Sequence, residues 1–199
     1  MQVLKEEVRQ AILYKAMDEF YDNGFQKASL RKIVKSAGTT IGNFYNYFKN
    51  KEELFYAITT PIYTKFVYFI KNHNEDQDDI SDLSVEELRK LIAHSLKSID
   101  KEFERALIIL IDGSKGTKYE DVKEEIIGFL AQHFVEHLNE GPTHIKKDIH
   151  PYFSKVVAVG FLEGVMDTLR SGYTKEEKEK LIADYIILFA LGAEKFASN

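Results

Sequence analysis

Residues 29–51 bring together side chains that could bind a phosphate backbone and touch the edges of nucleic-acid bases. The stretch SLRKIVKSAGTTIGNFYNYFKNK places four aromatic residues, Phe44, Tyr45, Tyr47 and Phe48, in five positions soon after a Gly-Thr-Thr turn. Lysine or arginine residues lie on both sides of this turn. Cations position phosphates, and amide and hydroxyl groups form hydrogen bonds with phosphates or bases. The question is which structural elements would present these groups together.

The net charge of −5 conceals a local excess of positive charge. Residues 1–55 contain nine lysine and arginine residues against seven acidic ones, whereas the rest of the chain contains 18 against 25. No acidic residue lies between Asp22 and Glu52, and six cations fall in this interval. A basic surface on an acidic body is expected of a phosphate-binding region attached to a domain with another task.

The composition also narrows the class of protein. A chain of 199 residues with 44% hydrophobic content can bury a sizeable core. It has no cysteine, which excludes disulfides, thiolate nucleophiles and cysteine-ligated zinc and fits a reducing compartment. The N-terminus is charged, and no apolar run approaches the roughly 20 residues needed to cross a bilayer. We therefore predict a cytoplasmic protein with no membrane segment and no cofactor or metal.

Apolar residues recur at helical spacing almost throughout, which predicts an all-α fold. Ser29 is predicted as the N-cap of a short second helix that Gly38 ends, and Thr39 or Thr40 as the N-cap of a third. A first helix is predicted to end at residues 22–24. Its apolar stripe consists of Val8, Ile12, Ala16 and Phe20.

Winding residues 39–48 as a helix separates two faces at about 100° per residue. Phe44 and Phe48 fall on one face, with Ile41 and Tyr47 at its margins, and are expected to pack on the first two helices. The other face is polar and consists of Thr39, Gly42, Asn43, Tyr45 and Asn46. Two short helices joined by a tight turn, the second with a small and polar face, match a helix-turn-helix whose second helix enters the DNA major groove.

The rest of the chain is predicted to form longer helices. Asn50 with Glu53 indicates the start of a fourth helix, for which a restart at Thr60 is favoured over a kink at Pro61. A surface loop is predicted over residues 72–84. Further helices are predicted over 85–98, 101–113, 121–139, 151–171 and 175–197. We divide the chain into a helix-turn-helix domain, residues 1–50, and a second helical domain, residues 51–199, which the family resemblance given next identifies as an effector-binding and dimerisation domain.

Residues 10–58, AILYKAMDEFYDNGFQKASLRKIVKSAGTTIGNFYNYFKNKEELFYAI, closely resemble the DNA-binding region of the tetracycline-repressor-like (TetR) family of bacterial transcription regulators. The resemblance includes the Gly-Phe before the second helix, the Ala-Gly turn and the Phe-Tyr-x-Tyr-Phe-Lys-x-Lys-Glu-x-Leu run. It implies a repressor that binds double-stranded DNA as a homodimer and responds to a small molecule. The remaining 140 or so residues resemble the family only in size, helicity and the closing helix pair.

The resemblance also implies roles for individual residues. Positions that hold phosphates are matched by Ser29, Tyr45, Tyr47 and Lys51, and positions near phosphates or base edges by Arg31, Thr39, Thr40, Gly42, Asn43 and Asn46. The sequence departs from the family pattern at three positions. Ile41 stands where a polar or basic residue is common, Lys32 where an acid is common, and Asn46 where an aromatic residue or histidine is common.

The last two predicted helices are apolar enough to pair with a second copy, as in the family. The predicted dimer interface comprises Val157, Gly160, Phe161, Gly164, Val165, Ile186, Phe189, Ala190 and Ala193. An effector pocket for an apolar or amphipathic small molecule is predicted from Phe66, Phe69, Leu96, Phe103, Leu107, Ile111, Ile127, Leu130 and Phe134.

Two alternatives come from other classes of protein. A helical enzyme is disfavoured because no phosphate-cradling loop, nucleophile elbow, paired-carboxylate motif or metal-ligand set stands out. A non-specific DNA-binding protein would carry basic charge over most of its surface, whereas residues 56–199 are net acidic.

Overall fold

The computed structural model describes the backbone of residues 2–72, 84–97, 100–140, 150 and 152–198. Within these ranges the side chains of residues 2–4, 69, 71, 72, 137–140, 190 and 193–198 are not described. The described residues form nine α-helices and no strand, so the predicted all-α fold is confirmed. The helices are α1 Gln2–Lys27, α2 Leu30–Ser36, α3 Ile41–Phe44, α4 Lys51–Asn72, α5 Val85–Leu96, α6 Lys101–Gly113, α7 Val122–Glu140, α8 Phe153–Arg170 and α9 Lys175–Ser198.

Glycines at positive φ shape the first two helices. Gly24 has φ 64° and ψ 174° and interrupts α1, although helical hydrogen bonding resumes and carries the helix to Lys27. The predicted end at residues 22–24 is therefore a break within α1. Gly38, at φ 67°, ends α2 as predicted: its N–H donates to Lys35 O, and Thr39 N–H donates to Val34 O. This is the Schellman pattern, which a residue with a Cβ would adopt only with strain.

The third helix is shorter than predicted. Its N-cap is Thr40, as expected, but α-helical structure covers only Ile41–Phe44 instead of residues 39–48. Beyond Phe44 the backbone forms tighter turns of the 3-10 type, because Asn46 N–H and Tyr47 N–H donate to carbonyls three residues earlier. Phe48 N–H again donates to Phe44 O, at 3.1 Å. The backbone thus keeps turning in the same sense, and Phe48 returns to the side of Phe44.

The fourth helix runs without interruption from Lys51 to Asn72, with Pro61 inside it. The favoured restart at Thr60 is therefore wrong. Proline lacks an N–H, so the carbonyl of Ala57 loses its helical donor, and Pro61 lies on an exposed part of the helix. Asn50 starts α4 as predicted, since its Oδ1 accepts from Glu53 N–H at 2.7 Å.

The later helices follow the predicted spans with small shifts at their ends. Ser84 and Glu87 form the predicted capping box. Glu177 N–H donates to Thr174 Oγ1, and Thr174 N–H donates back to Glu177 Oε2, at 3.3 and 2.7 Å. The predicted loop over 72–84 lies mostly outside the described residues, as does residue 98 of the predicted fifth helix.

By packing, the chain divides into two compact units. The first consists of Met1–Phe66 and Lys101–Lys123, and the second of Val67–Asp100 and Glu124–Asn199. In the first unit α6 packs along α1, where Arg105 forms an ion pair with Asp18 at 2.9 Å. A core of aromatic rings joins α1 to α4, with Phe20 and Phe55 centroids 5.1 Å apart. The functional division after residue 50 stays a prediction.

In the second unit α9 packs against both α5 and α8. Arg89 of α5 and Asp184 of α9 form a 2.7 Å ion pair. The buried Lys178 of α9 donates to the carbonyl of Leu169 near the end of α8. These contacts hold the closing helices in one body.

Candidate DNA-binding surface

The aromatic residues of the α3 segment, defined as residues 39–48, lie on two different faces as predicted. Phe44 and Phe48 are buried and stack with centroids 5.6 Å apart. The guanidinium of Arg9 on α1 lies over the Phe48 ring, so α1 covers this pair. Tyr45 is 57% exposed and meets the edge of Phe44, while Tyr47 is half-buried. Two phenylalanines therefore anchor the segment, and the Tyr45 hydroxyl stays accessible.

The polar side of the segment is ordered by a chain of side-chain hydrogen bonds. Asn46 Nδ2 donates to Asn43 Oδ1 at 3.1 Å, and Asn43 Nδ2 donates to Thr39 Oγ1 at 2.8 Å. Thr40 Oγ1 accepts from Asn43 N–H as the helix cap. Gly42 is exposed and adds no side chain that would keep a partner away. The amides are thus oriented in advance, and each still has hydrogen-bonding capacity for base or phosphate contacts.

The start of α2 is tied to α1 through one buried carboxylate. Glu19 is only 6% exposed; its Oε1 accepts from Ser29 N–H at 3.1 Å, and its Oε2 pairs with Lys32 Nζ at 2.6 Å. The hydrogen bond to Glu19 and its negative charge raise the pKa of Lys32. The family commonly has an acidic residue at the position of Lys32. Here Lys32 stands in its place, and Glu19 of α1 neutralises its charge. Ser29 itself caps α2 by accepting from Lys32 N–H.

Lys51, at the start of α4, points toward the connection between α1 and α2. Its Nζ donates to the carbonyls of Phe25 at 2.7 Å, Ala28 at 3.0 Å and Gln26 at 3.4 Å. It also lies 4.5 Å from the centroid of the Phe25 ring. Burial lowers the pKa of Lys51.

Four of the six cations between Asp22 and Glu52 remain available to a ligand. Lys32 is paired with Glu19, and Lys51 is engaged with backbone carbonyls. The other four are exposed, and none of their side-chain nitrogens has a partner among the residues that the structure describes. They are Lys27, Arg31, Lys35 and Lys49. Because these four side chains have no acidic partner among the described residues, their positive charge is available to a polyanion.

Replacing Glu19 by glutamine should loosen α2 without unfolding the chain. The glutamine side chain would keep one carbonyl acceptor for Ser29 N–H but would lose the ion pair with Lys32. Since Lys32 can return to water, we expect a loss of about 1 kcal/mol in the free energy of unfolding, measured by urea denaturation. Glu6→Gln is a matched exposed control on α1, and an equal loss in both variants would contradict the role of Glu19.

The role of Glu19 was not predicted from the sequence. The available signal was a carboxylate beside the apolar stripe of the first helix, one residue before the buried Phe20. An acid in that place either faces water or pairs with a cation across the core edge. Its partners, however, lie ten and 13 residues further along, and no local rule names them.

The predicted effector residues divide between the two units. Phe66, Phe103, Leu107 and Ile111 belong to the first unit, and Leu96, Ile127, Leu130 and Phe134 to the second. Leu107, Ile111, Ile127 and Leu130 are buried, and the other four are half-buried. The side chain of Phe69 lies outside the described part. The pocket stays a prediction.

Two of the predicted interface residues, Phe161 of α8 and Phe189 of α9, take part in an aromatic cluster within one chain. Phe161 stacks on Tyr185 with centroids 5.8 Å apart, and Phe189 meets Tyr185 at 4.9 Å. Phe134, predicted for the pocket, joins the same cluster at 5.7 Å from Phe161. Tyr185 was not predicted. The cluster is defined as Phe134, Phe161, Tyr185 and Phe189, and all four rings are half-buried.

The remaining interface residues occupy varied positions. Val157, Gly164, Val165 and Ile186 are half-buried, and Gly160 is exposed. The side chains of Ala190 and Ala193 lie outside the described part. Other apolar residues on the same helices are more exposed than the half-buried predicted ones. The exposed fraction of the residue is 55% for Val156 on α8, and 45% and 65% for Leu181 and Leu188 on α9.

Comparison with known proteins finds a tetR family match at the N-terminal part of the chain. The model for "Bacterial regulatory proteins, tetR family" matches residues 12–58, the segment that builds the surface described above. This segment therefore resembles the DNA-binding region of the tetR family. The HTH-type transcriptional regulator YvdT of Bacillus subtilis is 38% identical over 68 residues, which cover 34% of this chain and 35% of YvdT. The match thus spans about a third of that relative. Members of the family are transcriptional regulators and not enzymes.

Similar folds are found along most of this chain. A crystal structure of AibR, in complex with isovaleryl coenzyme A and operator DNA, has a TM-score of 0.58 at 19% identity and covers 91% of this chain and 96% of AibR. NalD, the secondary repressor of the MexAB-OprM multidrug efflux pump in Pseudomonas aeruginosa, has a TM-score of 0.53 at 21% identity, with coverage of 92% and 96%. These likenesses establish the fold. No helix in the described part is long and apolar enough to span a membrane.

Proposed function

We propose that this chain is a tetR family protein, a cytoplasmic, homodimeric repressor that binds a pseudo-palindromic operator and is released by a small apolar molecule. The observation that carries the proposal is the α3 segment, which two buried phenylalanines anchor and whose polar side faces outward beside the four available cations. In a helix-turn-helix this segment enters the major groove. Two such heads would reach successive grooves about 34 Å apart.

The contacts to DNA divide into two classes. Phosphates would be held by Ser29, Arg31, Tyr45 and Tyr47. These contacts would fix the position of the helix-turn-helix domain along the duplex. Asn43 and Asn46 carry oriented amides, the groups that recognise adenine in the major groove. Thr39, Thr40 and Gly42 would lie close to the same bases or phosphates. The first class would supply affinity, and the second would supply sequence preference.

Exposed apolar residues on the closing helices support a homodimer. Val156 and Val159 of α8 and Leu181, Leu188 and Leu191 of α9 are 36% to 65% exposed. Apolar side chains that recur on the exposed side of two long helices are typical of a protein interface. A two-fold axis would also give the two heads the symmetry of a palindromic site.

Half-buried aromatic rings support an apolar effector. The aromatic cluster of the second unit offers four rings that are only half covered, and effector pockets are lined mainly by apolar and aromatic groups. AibR was crystallised with isovaleryl coenzyme A and operator DNA together, so one protein of similar fold binds both kinds of ligand. Effector binding would favour a head arrangement that no longer fits the operator.

Fluorescence anisotropy on labelled DNA tests the proposal. The protein is titrated into labelled DNA from upstream of its own gene and, in parallel, into a labelled scrambled duplex, each at several salt concentrations. A tight, salt-sensitive preference for the native fragment is expected. Weak and equal binding to both duplexes would favour a non-specific DNA-binding protein.

Two variants separate affinity from sequence preference. Tyr45→Phe removes one exposed hydroxyl from each head, so binding to all sequences should weaken by about tenfold per head, the value of one hydrogen bond to a charged group. Asn43→Ala should instead change the ranking of operator variants with single base substitutions. The same uniform loss for both variants, measured by anisotropy, would contradict this division.

A further inference from the structure

The ammonium of Lys51 uses its hydrogen-bonding capacity inside the protein. Its three donors match three carbonyl acceptors, those of Phe25, Gln26 and Ala28, within 3.4 Å. The Phe25 ring lies 4.5 Å from it. A phosphate contact would require these bonds to be released, leaving carbonyls at the end of α1 without this donor.

The segment that Lys51 holds carries groups suited to DNA. Lys27 lies between the bonded carbonyls of Gln26 and Ala28, and its exposed side chain has no partner among the described residues. Ser29 follows directly, and its N–H is fixed by Glu19 of α1. One charged group from α4 and one from α1 therefore hold this short connection.

We propose that Lys51 is a positioning residue for DNA binding: it fixes the α1–α2 connection that presents Lys27 and Ser29, and does not itself bind a phosphate. The proposal rests on the proposed function and refines its DNA-binding surface. The partial burial of Lys51 and the lowered pKa of its ammonium agree with an internal role. Lys51 keeps the backbone in the geometry in which its neighbours meet the DNA.

The salt dependence of binding distinguishes positioning from direct contact. Each cation that neutralises a phosphate contributes about 0.9 to the slope of log K against log[salt]. Lys51→Met keeps most of the side-chain volume but removes the ammonium. It should lower the affinity about tenfold and leave the slope unchanged. Arg31→Met, the control, removes an exposed cation without a partner among the described residues and should reduce the slope by about 0.9 per head.

A double-mutant cycle identifies the residue through which Lys51 acts. Ser29→Ala should weaken binding in the parent protein and have little further effect in the Lys51→Met background, because the hydroxyl is already misplaced. Both proteins are first shown by circular dichroism to be folded. Additive losses, or a slope reduced by about 0.9 per head in Lys51→Met, would overturn the proposal. Equal binding of the parent protein to native and scrambled DNA would count against the proposed function as well.

A measurement on the unaltered protein covers the case in which Lys51→Met does not fold. Lysines are acetylated with and without operator DNA, and modification rates are compared by mass spectrometry. DNA should slow the acetylation of Lys27 and leave the rate at Lys51 unchanged. Protection of Lys51 only in the complex would overturn the proposal.

Discussion

Leu188→Glu is expected to convert the protein to a monomer and to abolish tight binding to the operator. Leu188 is the most exposed leucine among the described side chains of α9. In a two-fold interface one substitution acts twice. Losing the burial of two leucine side chains costs at least about 3 kcal/mol, and each carboxylate would also be desolvated. We therefore expect a dimer dissociation constant raised at least about hundredfold, measured by sedimentation equilibrium, with a parallel loss of affinity for the full operator.

Leu91→Glu is the matched control. Leu91 lies on α5, outside the proposed interface, and is 49% exposed. Both substitutions replace an exposed leucine, so the stability of the folded chain should change by no more than about 0.5 kcal/mol in either. If Leu188→Glu remained a dimer while still folded, the interface would have to be sought away from this part of α9.

Features that depend on neighbouring residues could be predicted from the sequence. The turn at Gly38, the N-caps at Ser29 and Thr40, and the capping box at Ser84 each arise within a few residues and have strong chemical preferences. The separation of Phe44 from Tyr45 was also predictable, although α3 is short. The hydrogen bond from Phe48 N–H to Phe44 O still brings Phe48 to the side of Phe44, so the error in helix length did not change the faces.

Features that depend on distant pairs could not be predicted. Lys51 donates to carbonyls that lie 23 to 26 residues earlier in the chain, and Glu19 of α1 accepts from Ser29 N–H, ten residues later. The sequence indicated six cations between Asp22 and Glu52, but only the packing shows that two of them are already engaged. The same limit applied at Gly164, which was predicted only as a residue of the dimer interface, because the sequence did not show that the Tyr185 ring lies beside it.

Gly164→Ala is expected to destabilise the second unit, because the space beside Gly164 is filled by Tyr185. A Cβ at position 164 would lie 2.5 Å from Cζ and Oη of that ring. Tyr185 donates its hydroxyl to Gly160 O at 2.7 Å and contacts Phe161 and Phe189. The ring could move only by giving up these contacts. We expect a loss of about 1 to 3 kcal/mol in the free energy of unfolding, measured by urea denaturation.

Gly128→Ala separates this steric effect from helix propensity. Gly128 is an exposed position of α7 at which an added Cβ meets nothing within 4 Å. Alanine there should stabilise the chain by about 0.5 to 1 kcal/mol. In a Tyr185→Ala background the space beside Gly164 is empty, so Gly164→Ala should become neutral or stabilising. A loss that persisted in this background would mean that the backbone of α8, and not the Tyr185 ring, requires glycine at this position.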